Sequence, residues 1–426
     1  QKINIQADKW RYSFGYDLRS YDGYHYRALN HLLGLDGYYS TGDDNTNGKI
    51  MEATIEASPF QNTGIQGPKL GYYNLGKVGW FGLNALAEYS FNDLTAVIQM
   101  GWSEQKFQRI DYFSQATNYK SETSKLDGGY IKVGANYNLN EQSNIFANIG
   151  RIERQPNFDG VFPNFANNIN PNLQNEEITS FELGYGFIAD KFRFNVNLYA
   201  TTWGNRFISR SISNAQGTDG RANFNDVDVQ HNGLEIEAVW QPDLATRVRG
   251  MISIGDWRYT DDFSATIFDD NQQQIGTGTL YLKDAKVGDA AQTTAYIGIE
   301  RRIGSKFSFD IDYRFADNLY ADYSVTDSDF LKPNNDGAYQ LPAYGLVDLG
   351  ASAYFGKFTL RANINNLFDK LYIAESNSNI HVTYGSTTWQ GVDDRNYVWF
   401  GYGTTWNLSL KYRFTKLFNC KLAFMN

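Results

Sequence analysis

The sequence predicts an all-β protein, a transmembrane antiparallel up-and-down β-barrel. Three observations carry this. Apolar and polar residues alternate strictly over many segments. The connections between those segments are long and short in turn. Aromatic residues and glycine are abundant, and proline is scarce. The 426 residues include 30 Tyr, 29 Phe, 9 Trp, 39 Gly and 8 Pro. Aromatics favour strands, and glycine serves tight turns.

The alternation is clearest in three stretches. Phe307, Phe309, Ile311, Tyr313 and Phe315 alternate with Ser308, Asp310, Asp312 and Arg314. Phe192, Phe194, Val196 and Leu198 alternate with Arg193, Asn195 and Asn197. Leu408, Leu410, Tyr412 and Phe414 alternate with Asn407, Ser409, Lys411 and Arg413. A period of two means a strand with one apolar and one polar face. Fourteen strands are predicted, near 9–19, 78–91, 94–113, 128–139, 142–153, 177–188, 191–203, 226–241, 245–260, 290–302, 306–317, 342–354, 358–369 and 404–414.

Short turns fall near 92–93, 140–141, 189–190, 242–244, 303–305 and 355–357. Long polar loops fall near 20–77, 114–127, 154–176, 204–225, 261–289, 318–341 and 370–403. A soluble sandwich shows the same alternation but has no reason to place every long loop at one end. A bacterial outer-membrane barrel does, with short periplasmic turns and long extracellular loops. An even strand count then puts both termini on the short-turn side. Trp10, Tyr89, Phe91, Trp240, Trp257, Tyr412 and Phe414 lie near strand ends and suit interfacial aromatic girdles. The polar faces carry Glu182, Glu235, Glu237, Asp310, Asp312, Arg314, Arg361, Lys411 and Arg413. A basic side chain facing lipid at the midplane costs about 2–4 kcal/mol, so these faces belong to a wet lumen or a polar plug.

Composition narrows the function. Net charge is -9 with no basic stripe, which argues against a nucleic-acid partner. Mean hydropathy is -0.49, and no run of about 18 apolar residues offers a spanning helix. The lone Cys420 rules out an internal disulfide. Gln1 does not open a signal peptide. No zinc-protease H-E-x-x-H, no G-x-S-x-G elbow and no phosphate loop appears, so neither an enzyme nor a cofactor is expected. His231 near Glu235 and Glu237 is the single catalytic starting point, but the alternation points to plain lumen polarity instead.

Three stretches resemble the TonB-dependent receptors. Asn170-Pro171-Asn172-Leu173-Gln174-Asn175-Glu176, followed by Ser180-Phe181-Glu182-Leu183-Gly184-Tyr185, resembles that family's N-P-x-L-x-x-E and s-x-E-L-G. Asn365-Asn366-Leu367-Phe368-Asp369-Lys370-Leu371-Tyr372 resembles its N-L-F-D-x-x-Y. Thr405 to Phe414 resembles its last strand, which ends in Phe. Pro171, Leu173, Glu176, Glu182, Gly184, Asn366, Leu367, Phe368 and Phe414 are thus expected as structural motif residues.

The resemblance covers residues 1–414, with 415–426 as an extension of unknown role. It implies a barrel of about 22 strands around a plug, of which this chain holds the last fourteen without the plug. The first and last strands, near 9–19 and 404–414, would then meet strands outside this chain. The implied function is import of a scarce, bulky solute (ferric siderophore, haem, vitamin or glycan) across a Gram-negative outer membrane, energised by TonB through the plug. Implied partners are outer-membrane lipid and lipopolysaccharide, the barrel-insertion machinery that reads the terminal aromatic, and a capping surface lipoprotein as in glycan-importing relatives. A passive fourteen-stranded channel is the alternative, and an adhesin or barrel hydrolase a third reading.

Binding residues concentrate on loops held by a rigid scaffold. The loop 20–77 offers Tyr21, Tyr24, His25, Tyr26, Tyr38 and Tyr39, with Leu29, Leu32 and Leu33 at helical spacing before Gly34. Packing of the loop onto its neighbours is the default for these residues. His25 and His31 are poorly spaced for a metal. Trp203, Arg206, Trp389 and Arg395, at the loop sides of strands, are further substrate candidates. The outer girdle would use the same residues. Asp43-Asp44, Asp261-Asp262, Asp269-Asp270 and Asp393-Asp394 have the oxygen ligands calcium prefers, but solvated loop charge explains them.

Overall fold

The protein is described from a computed structural model covering residues 1–29, 31–41, 48–52, 69–113, 119–213, 219–269, 273–323 and 330–414. One antiparallel sheet of seventeen strands dominates. Its strands are β1 (Lys2–Ala7), β2 (Trp10–Tyr26), β3 (Tyr73–Phe91), β4 (Leu94–Asp111), β5 (Ser124–Asn138), β6 (Ser143–Arg154), β7 (Glu176–Ile188), β8 (Phe192–Ser213), β9 (Asp219–Trp240), β10 (Thr246–Tyr259), β11 (Phe263–Asp269), β12 (Gln274–Leu280), β13 (Thr293–Ile303), β14 (Phe307–Asp317), β15 (Tyr344–Phe355), β16 (Phe358–Asn365) and β17 (Thr405–Tyr412). Each pairs with its neighbour in chain order, except that β11 and β12 form a hairpin added beside β9, and β10 pairs with β13.

The polarity of this sheet is inverted relative to a soluble protein. On β14, Phe307, Phe309, Ile311 and Tyr313 are exposed, while Ser308 between them is buried. The same holds for Leu183 on β7, Ile252 and Ile254 on β10, and Ile297 and Ile299 on β13. The opposite face is laced with charge pairs. Arg361 binds Asp310 through two contacts of 2.8 and 3.0 Å, and Arg314 binds Asp348 at 2.8 and 3.2 Å. Arg249 reaches Asp312 at 3.6 Å. An apolar outside and a paired, polar inside is what hydrocarbon on one side and water on the other select.

The short turns are closed by local chemistry. Asn140 accepts from the backbone N–H groups of Gln142 and Ser143, and Asp243 from those of Ala245 and Thr246. Gly304 and Gly356 take φ of +60° and +59°, where glycine escapes the Cβ clash. Aromatics gather at this rim: Trp10 on Tyr89 at 4.8 Å, Tyr412 on Phe358 at 4.8 Å, and Phe194 among Tyr185, Phe187 and Phe192.

Several expectations need correction. The wall has a further strand, β1, joined to β2 through Asp8-Lys9, with Asp8 at φ 52°. Six residues are too few for alternation alone to announce a strand. The predicted first strand is therefore paired on both sides within this chain, and Gln1 bonds to Tyr16 partway up the wall instead of lying at the short-turn rim. No pairing joins β1 to β17 among the described residues.

The loop 20–77 is shorter than expected, because β2 runs on through Tyr21, Tyr24, His25 and Tyr26 against β3. No helix forms around Leu29–Leu33 among the described residues. Leu33 sits at φ 54°, and the His31 ring accepts its N–H at 2.8 Å. The predicted loop 204–225 is largely strand: β8 and β9 stay paired to Ser213 and Asp219, bent by bulges near Arg206. The predicted loop 261–289 contains the β11–β12 hairpin. Polar, bulged strands standing in water keep their backbone hydrogen bonds but lose the lipid face that makes a strand legible.

Candidate functional site

The buried apolar cores of the described residues all lie at the long-loop rim, where they shape a mouth. One gathers Phe224, Val227, Val229, Tyr259, Phe263, Leu280, Tyr323 and Phe330, from β9 to β12 and the segment after β14. A second gathers Leu319, Leu341, Ile373 and Val392, locking the residues around Leu319 and Leu341 to the segment 366–404. A third packs Val161 and Phe162 onto Phe107 of β4, with Leu173 alongside, so the segment 155–175 folds onto the inner wall.

The motif residues serve these folds. Asn170 donates to Gly160 O at 3.2 Å and Asn225 Oδ1 at 3.1 Å, and its Oδ1 accepts from Asn172 N–H at 3.0 Å. Pro171 follows it in the turn, Glu176 pairs with Arg154, and Glu182 accepts from Asn148. Gly184 lies opposite Phe146, whose ring covers it and leaves no room for a Cβ. Asn366 is buried at φ 49°. Its Nδ2 donates to Lys370 O and Tyr402 O at 2.9 and 3.1 Å, and its Oδ1 accepts from Lys370 N–H at 2.9 Å. Leu367 N–H bonds to Val347 O, and the Phe368 ring is exposed. Phe414 is also exposed and packs edge-on against Tyr412.

The substrate candidates do not converge on one place. Tyr24, Tyr26, Tyr73 and Tyr112 form an aromatic cluster at the tops of β2 to β4, with the Lys69 ammonium 4.9 Å over Tyr26. Tyr21 is exposed on β2, and His25 pairs with Asn74 in register. Tyr38 and Tyr39 form a short ladder with Ile50–Met51. The guanidinium groups of Arg154 and Arg206 both approach the Trp203 ring, at 5.4 and 5.9 Å. Trp389 packs edge-on to Phe400 in the second core.

Arg395 is committed to its own loop. It clamps buried Asp393 at 2.8 and 2.7 Å and holds that carboxyl well below the usual range. Of the other acidic pairs, Asp261 accepts from Thr260 and Asp262 from Lys283 N–H, so both shape loops; Asp43, Asp44 and Asp270 lie outside the described residues. Among the described residues no group of three His, Cys, Asp or Glu side chains is placed to hold a metal. The His231 ring lies tilted against Trp257, 5.3 Å away, on the inner wall.

Two features escaped sequence reading. One is a pocket of about 330 Å³ between the segment 157–165 and the outer parts of β8 and β9, lined by Asn157, Asp159, Phe165, Phe207, Ser209 and Arg221. Asn164 and Phe165 both have positive φ, 58° and 59°, and the Arg221 guanidinium sits 4.3 Å over the Phe165 ring. The other is a junction of three loops where Asp289, Asp322 and Glu375 meet Arg210. Burial and then the two neighbouring carboxylates push Asp289 up to about 6, against the pull of Arg210. Arg210 binds Asp322 at 3.1 Å. Both features join residues far apart in the chain, and the only local sign was Pro163 before Asn164-Phe165.

The comparisons with known proteins agree with this architecture. No curated protein matches the chain by sequence. Among solved structures, the chain is similar in fold to the copper transporter OprC, with 14% identity and a TM-score of 0.64 over 96% of this chain and 55% of that one. It is also similar to the ferric-catecholate import receptor Fiu from K12 E. coli in its closed form, with 13% identity and a TM-score of 0.61 over 97% and 53%. A third is the ferric citrate transporter FecA in the unliganded form, with 12% identity and a TM-score of 0.60 over 96% and 53%. The chain spans about half the length of these structures. Residues 2–367 match the family described as TonB dependent receptor-like, beta-barrel. With an outward apolar wall, a charge-paired inner face and a mouth built from long loops, the chain belongs to the TonB-dependent receptor-like β-barrel family.

Proposed function

We propose that this chain forms most of the wall and mouth of an outer-membrane importer that captures a scarce, bulky solute and is energised through TonB. The observation that supports it best is the asymmetry of the sheet. One rim closes in turns of a few residues, while the other carries folded loops with their own apolar cores. A passive pore has no need of a mouth built at that cost in chain length. The import and transport roles stated for the solved relatives support the same reading.

In this reading residues 1–414 are the barrel unit and 415–426 a separate extension. The exposed aromatic and aliphatic face meets lipid and, at the loop side, lipopolysaccharide. Phe414 is the residue offered to the insertion machinery, and a surface lipoprotein would cover the loop rim. Tyr21, Tyr24, His25, Tyr26, Tyr38, Tyr39, Trp203, Arg206 and Trp389 are proposed to line the solute's approach. Arg395 acts at one remove, by fixing its loop through Asp393.

The test is deletion of the gene in its native host, with growth scored on limiting iron, vitamin and glycan sources, and repeated in a strain lacking TonB. Loss of growth on one source in both strains supports the importer. Uptake that persists without TonB identifies a passive channel instead.

A further inference from the structure

We infer that the pocket between the segment 157–165 and the outer hairpin of β8 and β9 is a subsite for a neutral, hydroxyl-rich ring, such as one sugar unit of a glycan. This rests on reading the mouth as the solute side of a receptor, and it assigns the solute a class.

The pocket's size suits a ring. About 330 Å³ lies at the small end of the range that ligand pockets occupy. Its charge is balanced, with one guanidinium, Arg221, and one carboxylate, Asp159, in its lining. An anionic metal chelate would need several cations, and it would approach a chain of net charge -9 whose mouth also carries Asp289, Asp322 and Glu375. A neutral polyol meets no such repulsion.

Its walls pair a flat apolar surface with hydrogen-bonding groups. The Phe165 ring is 62% exposed although it stands beside a formed pocket. Arg221 braces it at 4.3 Å and bonds to Ser209 at 3.5 Å, which sets that ring and the guanidinium edge in a fixed relation. Phe207 contributes a second ring, and Asn157, Asp159 and Ser209 supply amide, carboxylate and hydroxyl. Sugars present this complement, with C–H groups on one face and hydroxyls around the rim.

The backbone adds to the case. A phenylalanine at φ 59° is a genuine outlier, tolerated where surrounding structure over-determines it. Glycine or asparagine would hold this turn without strain. A large exposed ring kept at such a position is best explained by what it touches.

Calorimetry on the intact receptor in detergent tests this, using short neutral oligosaccharides of the gluco, xylo and manno series as probes and ferric citrate as the anionic comparison. At least one neutral series binds and ferric citrate does not. Phe165→Gly, which relieves the positive φ, leaves the folded barrel as heat-resistant as before yet weakens sugar binding about tenfold, the loss of one aromatic contact. Arg221→Met does the same.

No binding by any sugar of the panel, sugar binding unchanged in Phe165→Gly, or binding of ferric citrate in place of sugar would each overturn the proposal. The receptor reading is judged separately. If a chelate is imported through TonB and its uptake survives Phe165→Gly, the sugar subsite falls and the importer stands. If sugar binds through Phe165 but no uptake depends on TonB, the pocket stands and the importer falls.

Discussion

Asn366 shows how much one buried residue can organise. All three of its side-chain hydrogen bonds go to backbone groups, of Lys370 and Tyr402, and its φ of 49° suits asparagine better than alanine. Asn366→Ala should cost about 3 kcal/mol, from three lost hydrogen bonds and added strain. Urea unfolding of the receptor in lipid vesicles measures it; a loss below about 1 kcal/mol would show that the turn holds itself. The Arg361–Asp310 pair makes a second residue-scale case. The Asp310 side chain is 10% exposed, and Gly350 beside it leaves the space the pair fills. Arg361→Ala should destabilise by about 2 kcal/mol, less than a fully buried pair because the guanidinium remains partly wet. Adding Asp310→Asn should restore most of that loss, and the double variant matching the single one would refute the pairing argument. The motif residues were legible in the sequence from their spacing. Their bonding was not, because Asn366 reaches Tyr402 across 36 residues of loop.

The elements that stand above the membrane follow different rules from those inside it. The extensions of β8 and β9, the β11–β12 hairpin and the segments 281–292, 318–323 and 330–343 are held by water-side packing, and their titratable groups report on it. Asp289 bonds through its N–H to Tyr320 O, while Asp322 N–H bonds to Ser376 O, so one junction ties three loops. The groups facing Asp289 are Asp322, Glu375 and Arg210. Its folded value of about 6 lies above the ordinary 3.8. A carboxyl raised in this way adds stability that is fully present below pH 3.8 and is lost as pH rises through 6. Backbone amides of 281–292, corrected for intrinsic exchange, should therefore exchange more slowly in acid than above neutrality. Asp289→Asn should remove most of that difference. Equal protection of the wild type across the range would rule the junction out as the cause. The elements inside the membrane were nearly all predicted, from period two. β1 was not, because it is only six residues long, and the hairpin and the upper halves of β8 and β9 were not, because no lipid face imposes alternation on them.

At the scale of the molecule, the claim that matters is inversion: grease outside, charge inside. Ile311 and Asp312 are adjacent on β14 and point to opposite faces. Ile311→Arg should cost about 2–4 kcal/mol in a bilayer and impair insertion. Asp312→Asn, which loses a contact to Arg249 at 3.6 Å, should cost about 1 kcal/mol at a wet face. Unfolding in vesicles compares the two, and equal penalties would refute the inversion. The sequence by itself determined the class of wall, its sidedness and the family, because a strand between lipid and water must alternate and the alternation is local. Only the tertiary structure decided where the chain's far-apart segments meet: which loops fold into the mouth, that Phe165 stacks on Arg221, and that three carboxylates share one junction. The reason is physical. The bilayer acts on every second residue in the same way and so writes itself into the sequence, whereas a loop's position depends on contacts with residues a hundred places away, which leave no period to read.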